Sequence, residues 1–139
     1  MGKWRYTITS QYLTHYSFED NAALVVNYLS NEGFSIESIC GILGNMESES
    51  YVNPGQIEND DDTPIPLRGH GLIQWTPLTG LTNNTYWQGG KWYSGSKQMY
   101  VVANEVLDPA YFIPRGDDHT LKTRSYWQLS RCLLCRILL

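Results

Sequence analysis

At 139 residues the chain is long enough for one domain with a modest core. Hydrophobic residues make up 42%, which excludes wholesale disorder. The net charge of -4 is too small, and of the wrong sign, for a protein held to nucleic acid by phosphate contacts.

Charged residues are only 17%, whereas there are ten Tyr and five Trp. Most of these rings are expected in the core. The remainder suit a neutral, hydroxyl-rich ligand. No run approaches the length of a membrane span, so neither a membrane nor nucleic acid is an expected partner. Residues Met1 to Leu13 lack the continuous apolar core of a signal peptide. Three cysteines, Cys40, Cys132 and Cys135, leave an odd count, which predicts no disulfide framework and synthesis in the reducing cytoplasm.

Ser17-Phe18-Glu19-Asp20 predicts an N-cap and the start of a helix. Phe18, Ala22, Val25, Val26 and Leu29 recur at helical spacing, and Gly33 ends the helix as a left-handed cap. Ser35 caps a second helix, whose apolar stripe is Ile36, Ile39, Cys40, Leu43 and Met46. Pro54-Gly55 forbids its continuation. From Gln56 to Arg68 the chain reads as loop, acidic at Glu58 and Asp60 to Asp62 and stiffened by Pro64 and Pro66. Gly71 to Trp75 is too short to assign between a strand and a helix start. Thr76 to Ser96 reads as loop with room for a hairpin, and Gln98 to Val106 as a third helix. The expected fold is a single α+β domain, predominantly α, with a small irregular or β lobe.

Two segments carry chemistry. Gly44-Asn45-Met46-Glu47-Ser48-Glu49-Ser50 ends an apolar helix on a carboxylate and runs into Asn53-Pro54-Gly55. Gly69-His70-Gly71-Leu72-Ile73-Gln74-Trp75 is a glycine-rich turn leading into an aromatic wall. Glycoside cleavage by general acid catalysis needs a proton donor of this kind beside a sugar-binding wall. Glu47 and Glu49 compete for the role. At about 100° per residue, Glu47 falls near the Ile36/Leu43 stripe and Glu49 to one side, so periodicity favours Glu47. A carboxylate in the last turn also meets the negative end of the helix dipole, which favours a protonated acid and so Glu49.

Together, the Glu-Ser at 49–50, Asn-Pro at 53–54 and Gly-Leu-x-Gln at 71–74 resemble the phage tail lysozyme family. They also resemble its lysozyme-like superfamily, which includes goose-type lysozymes and soluble lytic transglycosylases. The similarity is clearest from about Asn21 to Pro77. It implies a lysozyme-like fold and a virion tail location, with action on peptidoglycan strands at the bacterial cell wall and other phage tail proteins as partners. No metal or organic cofactor is implied. The family's catalytic acid maps to Glu49, which overrides the periodicity argument. Its sugar-binding segment maps to Gly71, Leu72, Gln74 and Trp75, with Ser50 beside the acid. Gln74 then pairs with a sugar hydroxyl or N-acetyl group, and Trp75 offers a stacking face. Glu58 is the candidate second carboxylate, from an acidic run that is otherwise a solvated loop. His70 is either an auxiliary proton carrier or a loop histidine without chemistry.

Hydrolysis and transglycosylation are not separated by these motifs, and a non-catalytic glycan-binding module of the same fold is a further alternative. Cys40 with His70 or His119 would suit a cysteine peptidase, although Cys40 lies on the apolar stripe. Cys132-x-x-Cys135 has zinc spacing but lacks a second pair. The Asp60 to Asp62 run lacks the glycine of a calcium loop. Residues 126–139 depart from the family pattern, and a truncated or shifted reading frame near Tyr126 is expected to account for them.

Overall fold

The computed structural model describes residues 2–13 and 18–107. It contains α1 (Phe18–Asn31), α2 (Ile36–Ser50), a 3-10 turn (Ile65–Leu67), α3 (Thr79–Thr82) and α4 (Gly95–Leu107). The protein is predominantly helical, as expected. The expected cap at Ser17 and the atypical tail at 126–139 lie outside the described residues.

α1 packs on α2 and, more lightly, on α4. Their facing stripes form the core: Ala22, Val25 and Leu29 from α1, Ile39, Cys40, Leu43 and Met46 from α2, and Met99, Val102 and Ala103 from α4. Burying each large apolar side chain contributes about 1.5–3 kcal/mol. Leu29, Leu43, Met46 and Met99 are fully enclosed and anchor the assembly.

The predicted ends of α1 and α2 have clear physical causes. Gly33 adopts φ +86° directly after α1. Ser35 caps α2 by accepting the Ser38 N–H at its Oγ, 3.2 Å away. At the other end, the Tyr51 N–H donates to the Glu47 carbonyl and the Val52 N–H to that of Met46. The first is the bond of a left-handed αL cap, and the second reaches one residue further back. Tyr51 and Val52 hold φ of 54° and 59°, where a residue other than glycine is uncommon and a β-branched one rare. The reversal throws Asn53 back towards the N-terminal segment.

The N-terminal segment is pinned at alternate residues, largely by side-chain amides. The Arg5 N–H donates to Asn21 Oδ1 (2.9 Å), and Asn21 Nδ2 returns a bond to the Arg5 carbonyl (2.7 Å). The Asn53 amide does the same for Thr7, at 3.1 and 2.8 Å. The Thr9 N–H then donates to the Gly55 carbonyl, and the Ile57 N–H to that of Thr9. A Cβ on Gly55 would lie 2.6 Å from the Thr7 carbonyl oxygen, so only glycine lets the segment pass. Replacing Asn53 by Ala is expected to cost about 2 kcal/mol, since it leaves the Thr7 main-chain groups and the Gly55 N–H unmet. Faster hydrogen exchange at Thr7 and a lower melting temperature would report it.

The small irregular or β part is present as expected, and among the described residues its β character is slight. It consists of isolated bridges, Thr9 with Gln56, Ile57 with His70 and His70 with Trp75. Gly71 to Gln74 is neither strand nor helix start. It is a tight turn, closed by reciprocal main-chain bonds of 2.9 Å between His70 and Trp75. The 76–96 segment contains the four-residue α3, and no hairpin is found there among the described residues. α4 begins at Gly95, three residues before the expected start.

Candidate active site

Where the end of α2 faces the 56–58 and 69–74 segments, a cleft of about 340 Å³ opens. Glu49 and Ser48 line it from α2, and Glu58 and Asn59 from the acidic loop. Gly69, Gln74 and Thr76 form the facing wall, and Ser10 and Tyr12 the mouth.

Glu49 is exposed on the cleft side of the last turn of α2, whereas Glu47 is half-buried and does not line the cleft. Periodicity therefore ranked their burial in the right order; the cleft is simply on the other face. The Tyr12 hydroxyl crosses the helix end and donates to the Glu47 and Ser48 carbonyls. Its ring meets Tyr51 edge-on at 5.4 Å. Burial, and then the neighbouring Glu47, hold the Tyr12 hydroxyl above its ordinary pKa, so it remains a proton donor at neutral pH.

Glu58 reaches the cleft because segments 56–58 and 69–71 pair. The Glu58 N–H donates to the Gly69 carbonyl, and the Gly71 N–H to that of Gln56. The Gly69 N–H in turn fixes Glu58 Oε1 at 3.0 Å. The neighbouring acids behave as a turn. Asp60 accepts from the Thr63 hydroxyl and the Asp62 N–H, and the Thr63 bond is the main reason its carboxyl lies below the usual range.

Of the five residues expected to touch sugar, only Gln74 lines the cleft. It holds φ +60°, and its Nε2 donates to the Gly71 carbonyl at 2.9 Å. Ser50, Gly71, Leu72 and Trp75 are buried behind the wall. The Ser50 hydroxyl ties the two motifs together by bonding to the Met46 carbonyl (3.0 Å) and the Leu72 carbonyl (2.8 Å). Trp75 is 8% exposed and joins the core, so its expected stacking face is occupied by protein. These four residues position the wall from within.

Gly71 is needed for two reasons. Its φ is +86°, and a Cβ there would meet Gln98 Oε1 at 2.7 Å. Gln98, fully buried on α4, accepts the Leu72 N–H (2.8 Å) and donates to the carbonyls of Pro54 (2.9 Å) and Trp92 (2.7 Å). One amide thereby joins the Asn-Pro segment, the Gly-Leu turn and α4. Sequence reasoning missed Gln98. A lone polar residue on an apolar helical stripe was the available signal. It also missed Tyr12 and Gln56, because the contacts that place them span 35 and 45 residues.

His70 is buried at 1% exposure, behind the wall. Its Nδ1–H donates to the Arg68 carbonyl at 2.7 Å, and Trp92 meets its ring edge-on. Burial lowers its pKa below the ordinary 6.5, with the Arg68 charge adding to the effect and the carbonyl bond opposing it. The unfolded chain therefore takes up this proton first, and stability falls as pH drops below about 6.5. Urea midpoints at pH 7.5 and 5.5 should show this loss. It should shrink in His70→Asn, which keeps a donor for Arg68 but does not titrate.

Cys40 is fully buried in the core, as its place on the apolar stripe predicts. It is also disulfide-bonded, which corrects the expectation of no disulfide and leaves no thiol for the peptidase alternative. The zinc-like spacing at Cys132 and Cys135 lies outside the described residues.

The phage tail lysozyme family matches residues 20–127. The chain belongs to that family. The match includes both motif segments and all of α2 and α4. This tail lysozyme domain is also 44% identical over 72 residues to "Morphogenesis protein 1" of Bacillus phage B103. That alignment covers 52% of the chain and 20% of the relative, so the chain spans a small part of the relative's length. Among the described residues of the tail lysozyme domain, no helix is long and apolar enough to cross a membrane.

Proposed function

We propose that this tail lysozyme domain cleaves the glycan strands of peptidoglycan. The observation that carries the reading is the placement of Glu49 and Glu58 on one cleft, together with the amide of Gln74. Glu49 protonates the glycosidic oxygen between N-acetylmuramic acid and N-acetylglucosamine as the bond breaks. Glu58, with one oxygen held by Gly69, stabilises the positive charge that develops on the sugar ring or orients the attacking water. Gln74 and Tyr12 offer hydrogen bonds to the sugar. The acetamido and hydroxyl groups of such a strand suit a cleft lined mainly by polar side chains.

The relative is named a morphogenesis protein, which suits a place in virion assembly. Other phage tail proteins as partners and the bacterial cell wall as target belong to the same proposal. Mass spectrometry of peptidoglycan treated with the purified protein tests the reading. New reducing ends support hydrolysis. Anhydro-sugars would assign lytic transglycosylation to the same acid. Wall binding without either product would make the domain a glycan-binding module.

A further inference from the structure

Among the described residues, the main chain of the N-terminal segment is bonded to the body along one edge. Arg5, Thr7 and Thr9 turn their main-chain N–H and C=O groups inward, to Asn21, Asn53 and the Gly55–Ile57 main chain, and Gln11 turns its C=O to the Gln56 amide. In an extended chain the alternate residues then present their N–H and C=O groups outward. Those residues are Tyr6 and Ile8, with the Ser10 N–H beyond them, and no described residue bonds to these groups.

Among the described residues nothing covers this edge, which is main chain paired on one side only. Natural edges are blunted by proline, bulges or charge, whereas Tyr6-Thr7-Ile8-Thr9-Ser10 contains none of these. Tyr6 and Ile8 are 48% and 50% exposed. The edge also leads into the cleft, since Ser10 and Tyr12 line its mouth. At its far end Tyr6 stacks on Tyr93 at 4.8 Å, and the Lys91 ammonium lies 5.7 Å from the Tyr93 ring centre. Nearby, Arg5 is paired with Asp20 at 2.8 Å, which leaves Lys91 as the cation facing outward beside Tyr6 and Tyr93.

We infer that the Tyr6–Ser10 edge binds the acidic peptide attached to the glycan strand, by main-chain pairing, with Lys91 meeting a peptide carboxylate. The inference rests on the glycan reading of the cleft. The edge is continuous with the cleft, so a peptide branching from a sugar there leaves past Ser10 and runs along it. Strand addition draws its affinity from main-chain hydrogen bonds and needs no dedicated side-chain pocket.

Calorimetric titration tests it, with two soluble glycan fragments that differ only in carrying or lacking the peptide. The fragment with peptide should bind about tenfold more tightly, the factor carried by roughly one net hydrogen bond. Ile8→Pro removes an outward N–H without breaking an inward bond. Lys91→Glu reverses the charge. Each should bring the ratio of the two affinities close to one, with the bare fragment as internal reference for the cleft. Equal affinity of the parent for both fragments overturns the inference. So does an equal loss on both fragments in the variants, or a parent dimer in sedimentation that Ile8→Pro disperses. Because binding is read directly, the result is decisive even if neither fragment is cleaved, an outcome that would count only against the glycosidase reading.

Discussion

Glu49→Gln is expected to lower cell-wall lysis by about 10²–10⁴-fold, the range a positioned general acid supplies. Gln keeps the shape and hydrogen-bonding capacity of the side chain but delivers no proton. Glu49 is exposed, so its replacement should leave folding stability within about 0.5 kcal/mol. The comparison that decides the assignment is Glu47→Gln. Glu47 is two residues away on the same helix but does not line the cleft, and its loss should change the rate by a few-fold at most. Turbidity loss of cell walls, with melting temperatures measured in parallel, separates a chemical defect from a folding defect. Lysis by Glu49→Gln at the parent rate would remove Glu49 from the mechanism.

Gln98→Leu is expected to produce the largest loss of stability, about 3 kcal/mol or more. Leu fills nearly the same volume, so no cavity explains the loss. What remains is an unmet Leu72 N–H and unmet Pro54 and Trp92 carbonyls, each costing about 1–3 kcal/mol if it stays dry. Against a total stability of roughly 5–15 kcal/mol, this is a large fraction. The urea midpoint should drop accordingly. A double-mutant cycle with Gly71→Ala gives a sharper test. The added Cβ would sit 2.7 Å from Gln98 Oε1, so Gln98→Ala should relieve part of the Gly71→Ala penalty. The φ of +86° would keep the remainder. Simple additivity would mean that the two residues do not press on one another.

Helix existence was legible from the chain because it is a local property. The stripe from Ile39 to Met46, the Ser35 cap and Gly33 state the bounds of α1 and α2 within a few residues of where they act. The joined Glu-Ser, Asn-Pro and Gly-Leu-x-Gln segments likewise identified the family. The residue-by-residue use of the second motif was not legible. A Gly-Leu-x-Gln turn reads the same whether its leucine faces a ligand or the core, and here Leu72 is fully buried while Gln74 faces the cleft.

The sequence by itself determined a helical lysozyme-like domain with Glu49 in the last turn of its second helix, through periodicity, caps and motif. Only the tertiary structure decided which groups share the cleft with that glutamate. Glu58 is brought there by pairing with Gly69, and Tyr12 by the Asn21 and Asn53 clamps on the N-terminal segment. Gln74 is held there by a turn that Gln98 supports from behind. Each of these placements depends on at least one hydrogen bond between residues 11 to 46 positions apart, and such bonds leave no periodic trace in the chain.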